Sequence, residues 1–160
     1  MYRHILIPTD GSELSEKAVE HGVALAKSIN ARVTGLTVSQ PFHMLSGAFP
    51  VGPLIPTVTR EEYRDCIEAV CTSYLSAVKN AAAAAGVTCD TVQVEHDQPY
   101  FAIVHTAARK LCDLIVMASH GRRGAAAIVL GSETVKVLTH SSIPVLVYRA
   151  PRPAELFAAA

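Results

Sequence analysis

Leu114-Ile115-Val116-Met117-Ala118 runs without a polar residue into Ser119-His120-Gly121-Arg122-Arg123-Gly124, and Gly131-Ser132-Glu133-Thr134 follows a short way on. An unbroken apolar run stopped by a glycine loop reads as a strand buried on both faces, and a Gly-Ser step opening a helical pattern reads as a helix N-terminus. A strand passing through such a loop into a helix places backbone N–H groups and the positive end of a helix dipole where an anion can sit. The stretch therefore predicts an α/β arrangement with a phosphate cradle at the carboxyl end of this strand.

Working outward, the same alternation of strand and helix fills the chain. Ile5-Leu6-Ile7 is stopped by Pro8-Thr9-Asp10-Gly11, giving a first strand. Ser12 can cap a helix in which Leu14, Ala18, Gly22, Leu25 and Ile29 recur at helical spacing, ending near Asn30. Val33-Thr34-Gly35-Leu36-Thr37-Val38 is β-branched and alternating, a second strand. Residues 39–58, with Pro41, Pro50, Pro53, Pro56, Gly47 and Gly52, read as a long loop: a lid, a dimer contact or an insertion. Thr59 and Glu62 form a capping-box pair at the start of a long second helix, with Tyr63, Ile67, Val70, Tyr74 and Val78 inward and Gly86 at its end.

Thr91-Val92-Gln93-Val94 makes a third strand, half-exposed by its alternation. Pro99 opens a third helix with Tyr100, Val104, Ala107 and Leu111 as its apolar stripe, stopping around Cys112. Beyond the glycine loop, residues 133–140 form a fourth helix with Val135 and Leu138 inward, and Pro144-Val145-Leu146-Val147-Tyr148 a fifth strand. Residues 1–149 are one domain, and residues 150–160 a tail without pattern.

Strands alternating with helices call for one doubly wound α/β domain, a parallel sheet with helices on both faces. Its apolar first and fourth strands belong in the centre and its alternating third at an edge, which orders the five as 3-2-1-4-5. The switch point, where ligands enter such sheets, then lies between strands 1 and 4, and the two loops that meet there are residues 8–12 and 118–132. Strand 5 falls at the other edge although its residues from Ile143 to Tyr148 are as apolar as a central strand. That predicts a homodimer paired through this edge, with Pro144 at the strand start where its missing donor costs little.

Composition narrows the partners. The chain has 160 residues, 50% apolar and 18% charged, with 14 basic and 14 acidic side chains. Zero net charge argues against nucleic acid or an anionic membrane as partner. The apolar run at the N-terminus is too short for a signal peptide and no stretch is long enough to span a bilayer, so a cytoplasmic location is expected. Cys66, Cys71, Cys89 and Cys112 form no metal or disulfide pattern, lie in segments that read as core or strand, and are expected as free thiols. The seven histidines lack metal-site spacing.

With strand 1 ending Ile7-Pro8-Thr9-Asp10-Gly11-Ser12 and strand 4 entering Met117-Ala118-Ser119-His120-Gly121, with Gly131-Ser132 ten residues on, the chain resembles the universal stress protein family from Met1 to Tyr148. Nucleotide-binding members carry G-x-x-G-x(9)-G-[ST] after strand 4. Here Gly121, the nine residues 122–130 and Gly131-Ser132 match, and Ala118 stands at the first glycine. The resemblance implies the 3-2-1-4-5 sheet of the adenine nucleotide alpha hydrolase-like fold, the dimer through strand 5, and ATP, or AMP or ADP, with or without Mg2+. Adenine and ribose would lie against Pro8, Thr9, Asp10 and the end of strand 2 at Val38. Phosphates would lie along Ser119, His120, Gly121, Gly131, Ser132 and Thr134, with Met117, Ala118, Arg122, Gly124 and Glu133 also in the nucleotide-binding set. The implied role is stress response or signalling, with at most slow hydrolysis and no catalytic residue.

Blander roles stand beside these. Ser132 can be a plain helix cap, Arg122 and Arg123 solvated, Asp10 a cap of helix 1 rather than a ribose or metal contact, and His120 merely exposed. Gly35 either admits adenine or relieves packing against a helix. Glu133 adds negative charge close to the expected anion. The alternative function is a nucleotide-free interaction scaffold of the same fold, marked by Ala118. An adenylate-forming enzyme lacks the S-G-G-x-D loop, and a phosphoacceptor receiver lacks the acidic pair after strand 1.

Overall fold

The computed structural model describes residues 1–42, 59–121 and 130–150. Its elements are β1 (His4–Pro8), α1 (Glu13–Ile29), β2 (Arg32–Ser39), α2 (Arg60–Ala85), β3 (Cys89–Glu95), α3 (Pro99–Arg109), β4 (Leu114–Ala118), α4 (Ser132–His140) and β5 (Val145–Tyr148). The strands form one parallel sheet in the order β3-β2-β1-β4-β5, as the sequence pattern predicted.

Strand periodicity divides the core in two. Ile5, Ile7, Val33, Leu114 and Val116 face α1 and α2, where Val19, Val23, Ala26, Val78 and Ala82 meet them. Leu6, Leu36, Ile115 and Met117 face the other way, against Ile103 and Ala107 of α3 and Val137 of α4. Each fully buried Leu, Ile or Val of this kind contributes roughly 1.5–3 kcal/mol. Gly35 belongs to this packing: a Cβ there would stand 2.9 Å from Cγ1 of Val78, so the glycine lets α2 approach β2.

The capping box of α2 is present, with Thr59 N–H donating to Glu62 Oε2 at 2.8 Å and Glu62 N–H to Thr59 Oγ1 at 3.2 Å. Helices α1, α2 and α3 all end in one motif, a residue in the left-handed region followed by a backbone bond reaching back into the last turn. The left-handed residues are Asn30 (φ 55°), Gly86 (φ 72°) and Leu111 (φ 55°). The bonds are Ala31 N–H to Ala26 O, Val87 N–H to Ala82 O, and Cys112 N–H to Ala107 O, each 2.8–2.9 Å long.

Several side chains differ from the sequence reading. Leu111 is not part of the α3 stripe; it lies past the helix end and is 81% exposed, while Ala102, Ile103, Thr106 and Ala107 are buried. On α4 the inward residues are Thr134 and Val137, and Val135 and Leu138 are exposed. The inward pair thus stands one residue earlier than expected, a rotation of about 100° around the helix axis, and the helix itself starts one residue earlier, at Ser132. Cys66 is exposed on α2 rather than in the core, and all four cysteines are free. The expected loop of residues 39–58 begins later than anticipated, because Ser39 is still in β2; residues 43–58 lie outside the described residues, as do 151–160 of the tail.

Candidate functional site at the switch point

The ladder between β1 and β4 has register pairs only at Ile5↔Leu114 and Leu6↔Ile115. On either side the ladders continue to Pro8↔Leu36 and to Ala118↔Tyr148. The sheet therefore opens between Pro8 and Met117-Ala118, at the carboxyl edge where doubly wound sheets take their ligands.

One wall is the turn after β1. Thr9 is buried, its N–H donating to Leu36 O at 2.8 Å and its hydroxyl 3.1 Å from Ser15 Oγ. Gly11 N–H donates to Thr9 Oγ1 at 3.2 Å, with Gly11 at φ 71°. A side chain at Gly11 would also fall on the ring of Tyr74 from α2, a contact no local sequence signal announced. Asp10 is not itself the cap of α1. Ser12 is the cap, accepting from Ser15 N–H, and Asp10 Oδ1 accepts from Ser12 N–H at 3.1 Å and Ser12 Oγ at 2.6 Å.

The opposite wall is the end of β4 with the start of α4. Ser119 is 2% exposed; its N–H donates to Tyr148 O at 2.8 Å and its carbonyl accepts from Gly131 N–H at 2.7 Å. That bond brings α4 back to the strand end. Gly131 packs closely, since a Cβ there would sit 3.1 Å from both Cα and Cβ of His120. Thr134 is buried with its hydroxyl donating to Ala118 O at 3.0 Å, a second tie between α4 and β4. His120 Nδ1 lies 3.2 Å from Ser119 Oγ.

The two walls touch. A Cβ on Gly121 would fall on Asp10 Oδ2, so the glycine allows the carboxylate to approach the backbone after β4. Helix α4 takes Gly131 as its N-cap, which has no side chain to cap it, and among the described residues no side chain bonds to the N–H groups of its first turn. Ser132 is exposed there. Val38, two strands away on β2, is half-buried and in register with Val94. Arg122, Arg123 and Gly124 lie outside the described residues.

Glu133 is engaged elsewhere. Its Oε2 accepts from Tyr100 N–H at 2.8 Å and its Oε1 from Lys136 Nζ at 2.8 Å, a bond that also raises the lysine pKa. Its charge is therefore matched locally instead of opposing an anion, and it contacts α3 rather than the crevice. The signal that could have shown this is Gln98-Pro99, a helix start without a Ser, Thr, Asp or Asn cap.

The doubly wound sheet, with the turn after β1, the end of β4 and the N-terminus of α4 meeting at its switch point, places the chain among the α/β domains that take ligands at that point of the sheet. The sequence matches the universal stress protein family over residues 1–149, and the chain belongs to that family. Universal stress protein MJ0531 of Methanocaldococcus jannaschii is 35% identical over 154 residues, covering 95% of this chain and 85% of the relative. Among solved structures, that of the protein MJ0577 aligns with a TM-score of 0.77 at 26% identity, over 96% of this chain and 99% of the other. A universal stress protein in complex with cAMP aligns with a TM-score of 0.65 at 24% identity, over 92% and 97% of the chains. One from Archaeoglobus fulgidus in complex with dAMP aligns with a TM-score of 0.61 at 19% identity, over 92% and 98%.

Proposed function

We propose that this chain binds an adenine nucleotide, ATP or its AMP and ADP relatives, in the switch-point crevice, and acts as a cytoplasmic homodimer in stress response or signalling. The observation that carries the reading is the N-terminus of α4, held at the strand end by the Gly131 to Ser119 bond and close to the Asp10–Gly121 contact. The N–H groups of its first turn and the helix dipole meet the phosphates. Adenine and ribose lie toward Pro8, Thr9, Asp10 and Val38, and the phosphates toward Ser119, His120, Gly121, Gly131 and Ser132. The cAMP and dAMP complexes of similar folds support adenosine monophosphates as the minimal ligand. Where Mg2+ accompanies the nucleotide, Asp10 is the carboxylate at the crevice that would hold it, since magnesium takes one or two carboxylates plus phosphate oxygens. Asp10 Oδ1 is engaged by Ser12, and the reading is of a binding protein with hydrolysis slow at most.

Isothermal titration with ATP and Mg2+ tests this. Binding in the micromolar to millimolar range is expected, and no heat and no thermal shift at millimolar nucleotide would overturn it. The second reading, a nucleotide-free scaffold, has Ala118 in its favour: the residue at the motif's first glycine is packed, 8% exposed, with its carbonyl tied to Thr134. Ala118→Gly separates the two. It raises ATP affinity severalfold if this methyl only hinders a working site, and it creates no binding where there is no site. Protein purified from cells and then denatured releases an adenine-absorbing ligand only under the first reading.

A further inference from the structure

Helices α3 and α4 lie on one face of a parallel sheet, so both N-termini stand at the carboxyl edge and present like dipole ends side by side. Helix α3 starts Gln98-Pro99 and receives no side-chain cap from Gln98. The N–H of Tyr100 is one of the donors a helix start leaves without an intrahelical partner. It is satisfied from 33 residues away by Glu133 Oε2 at 2.8 Å, a carboxylate in the first turn of α4. The other oxygen holds Lys136 Nζ at 2.8 Å, and that ammonium sits 5.3 Å from the centre of the Tyr100 ring. The His140 ring is 5.0 Å from the same ring, so both ends of α4 brace one residue of α3.

We infer that Glu133 is a positioning residue: by capping α3 from within α4 it fixes where the N-terminus of α4 stands, and so governs affinity for the phosphates rather than for adenosine. This rests on the reading of α4 as the phosphate end of the crevice. A negative group between two parallel helix starts offsets their mutual repulsion, and a hydrogen bond to a main-chain donor allows α4 little freedom to slide. Without it, Tyr100 N–H must find water or α4 must shift, and the contact of Gly131 with Ser119 and His120 shifts with it. Glu133 thereby has no need to touch the ligand.

The test is calorimetric titration of ATP and of adenosine into the full chain, its E133Q variant and its E133A variant. E133A is expected to lose about tenfold in ATP affinity, the share of one hydrogen bond to a charged acceptor, with adenosine affinity changed by less than about twofold. E133Q keeps an acceptor oxygen and stays within about threefold of wild type for both ligands. Should E133A not fold, Glu133→Asp, one methylene shorter, gives the same split. Parallel loss of ATP and adenosine, unchanged ATP binding in E133A, or a marked gain of ATP affinity in E133Q overturns the inference, the last by showing the carboxylate to be a charge near the phosphates. If wild type binds neither ligand, the nucleotide reading fails by itself. Amide exchange at Tyr100 then decides for Glu133: exchange that is slow in wild type and E133Q but about tenfold faster in E133A upholds the cap, and equal rates in all three refute it.

Discussion

His4 sits at the amino end of β1, opposite the crevice, 4% exposed, with Nε2 2.8 Å from Thr34 Oγ1. Nδ1 makes no well-formed hydrogen bond among the described residues, the Lys110 carbonyl being near enough to act on the ring's charge but not to close one. Burial, followed by the positive charge of Arg32, pulls the imidazole pKa below 6.5, and the Lys110 carbonyl, Asp113 and Asp90 raise it by less. The folded state thus holds His4 neutral. Below about pH 6.5 the unfolded chain takes up a proton that the folded one refuses, so this contribution is complete above that pH and is lost as pH falls toward the lowered folded pKa. Urea midpoints between pH 7.5 and 5 should fall for wild type and fall less for His4→Gln; parallel curves would contradict the assignment. Burial also acts on Asp113, pushing its carboxyl up, but the N–H groups of His4 and Arg3 outweigh it and hold the pKa below 3.8, a separate window at stronger acid.

Among elements, the helix ends differ in the residue placed at the left-handed position. Gly86 adopts it freely and Asn30 tolerates it, whereas Leu111 carries a steric penalty while burying almost nothing. Leu111→Gly is expected to raise stability by about 1 kcal/mol, read as a higher urea midpoint with an unchanged slope, because relief of the backbone strain outweighs the little apolar burial that this side chain supplies. The sequence made this helix end hard to see: Leu111 keeps the spacing of the stripe, and spacing does not report where the backbone turns back. The same weakness misplaced Val135 and Leu138, since in a nine-residue helix the stripe is too short to fix its own phase, and an error of one residue turns the inward face by about 100°. The capping box of α2 and the unbroken apolar strands were legible because each rests on a local rule, whereas of the α2 stripe only Val78 is fully buried, beside Cys71, Leu75 and Ala82. At the candidate site the topology that brings the turn after β1 to Gly121 followed from the strand pattern, but the tie from Glu133 to Tyr100 and the Tyr74–Gly11 contact join residues distant in sequence, which periodicity cannot register.

At the scale of the molecule the two sheet edges are unlike. On β3, Asp90, Gln93 and Glu95 are exposed, a polar edge that discourages pairing. On β5 the sequence is Val-Leu-Val-Tyr, and Leu146 is 41% exposed. This asymmetry is the physical case for the proposed dimer. Leu146→Lys is expected to shift sedimentation equilibrium at micromolar protein from dimer to monomer and to remove any dependence of the melting temperature on concentration. A wild type that is already monomeric there would refute the dimer.

The early end of the β1–β4 ladder has a mechanical side. Beyond Leu6 and Ile115 no register pair clamps the two central strands together, so the width of the gap is left to the Asp10–Gly121 approach and the anchors of α4. The sheet is thus laddered along its amino edge and unladdered between its two central strands at its carboxyl edge. If the proposed nucleotide bridges that gap it would stand in for the missing rungs, and the Ser119 to Tyr148 bond would carry the change to β5, the edge of the proposed dimer.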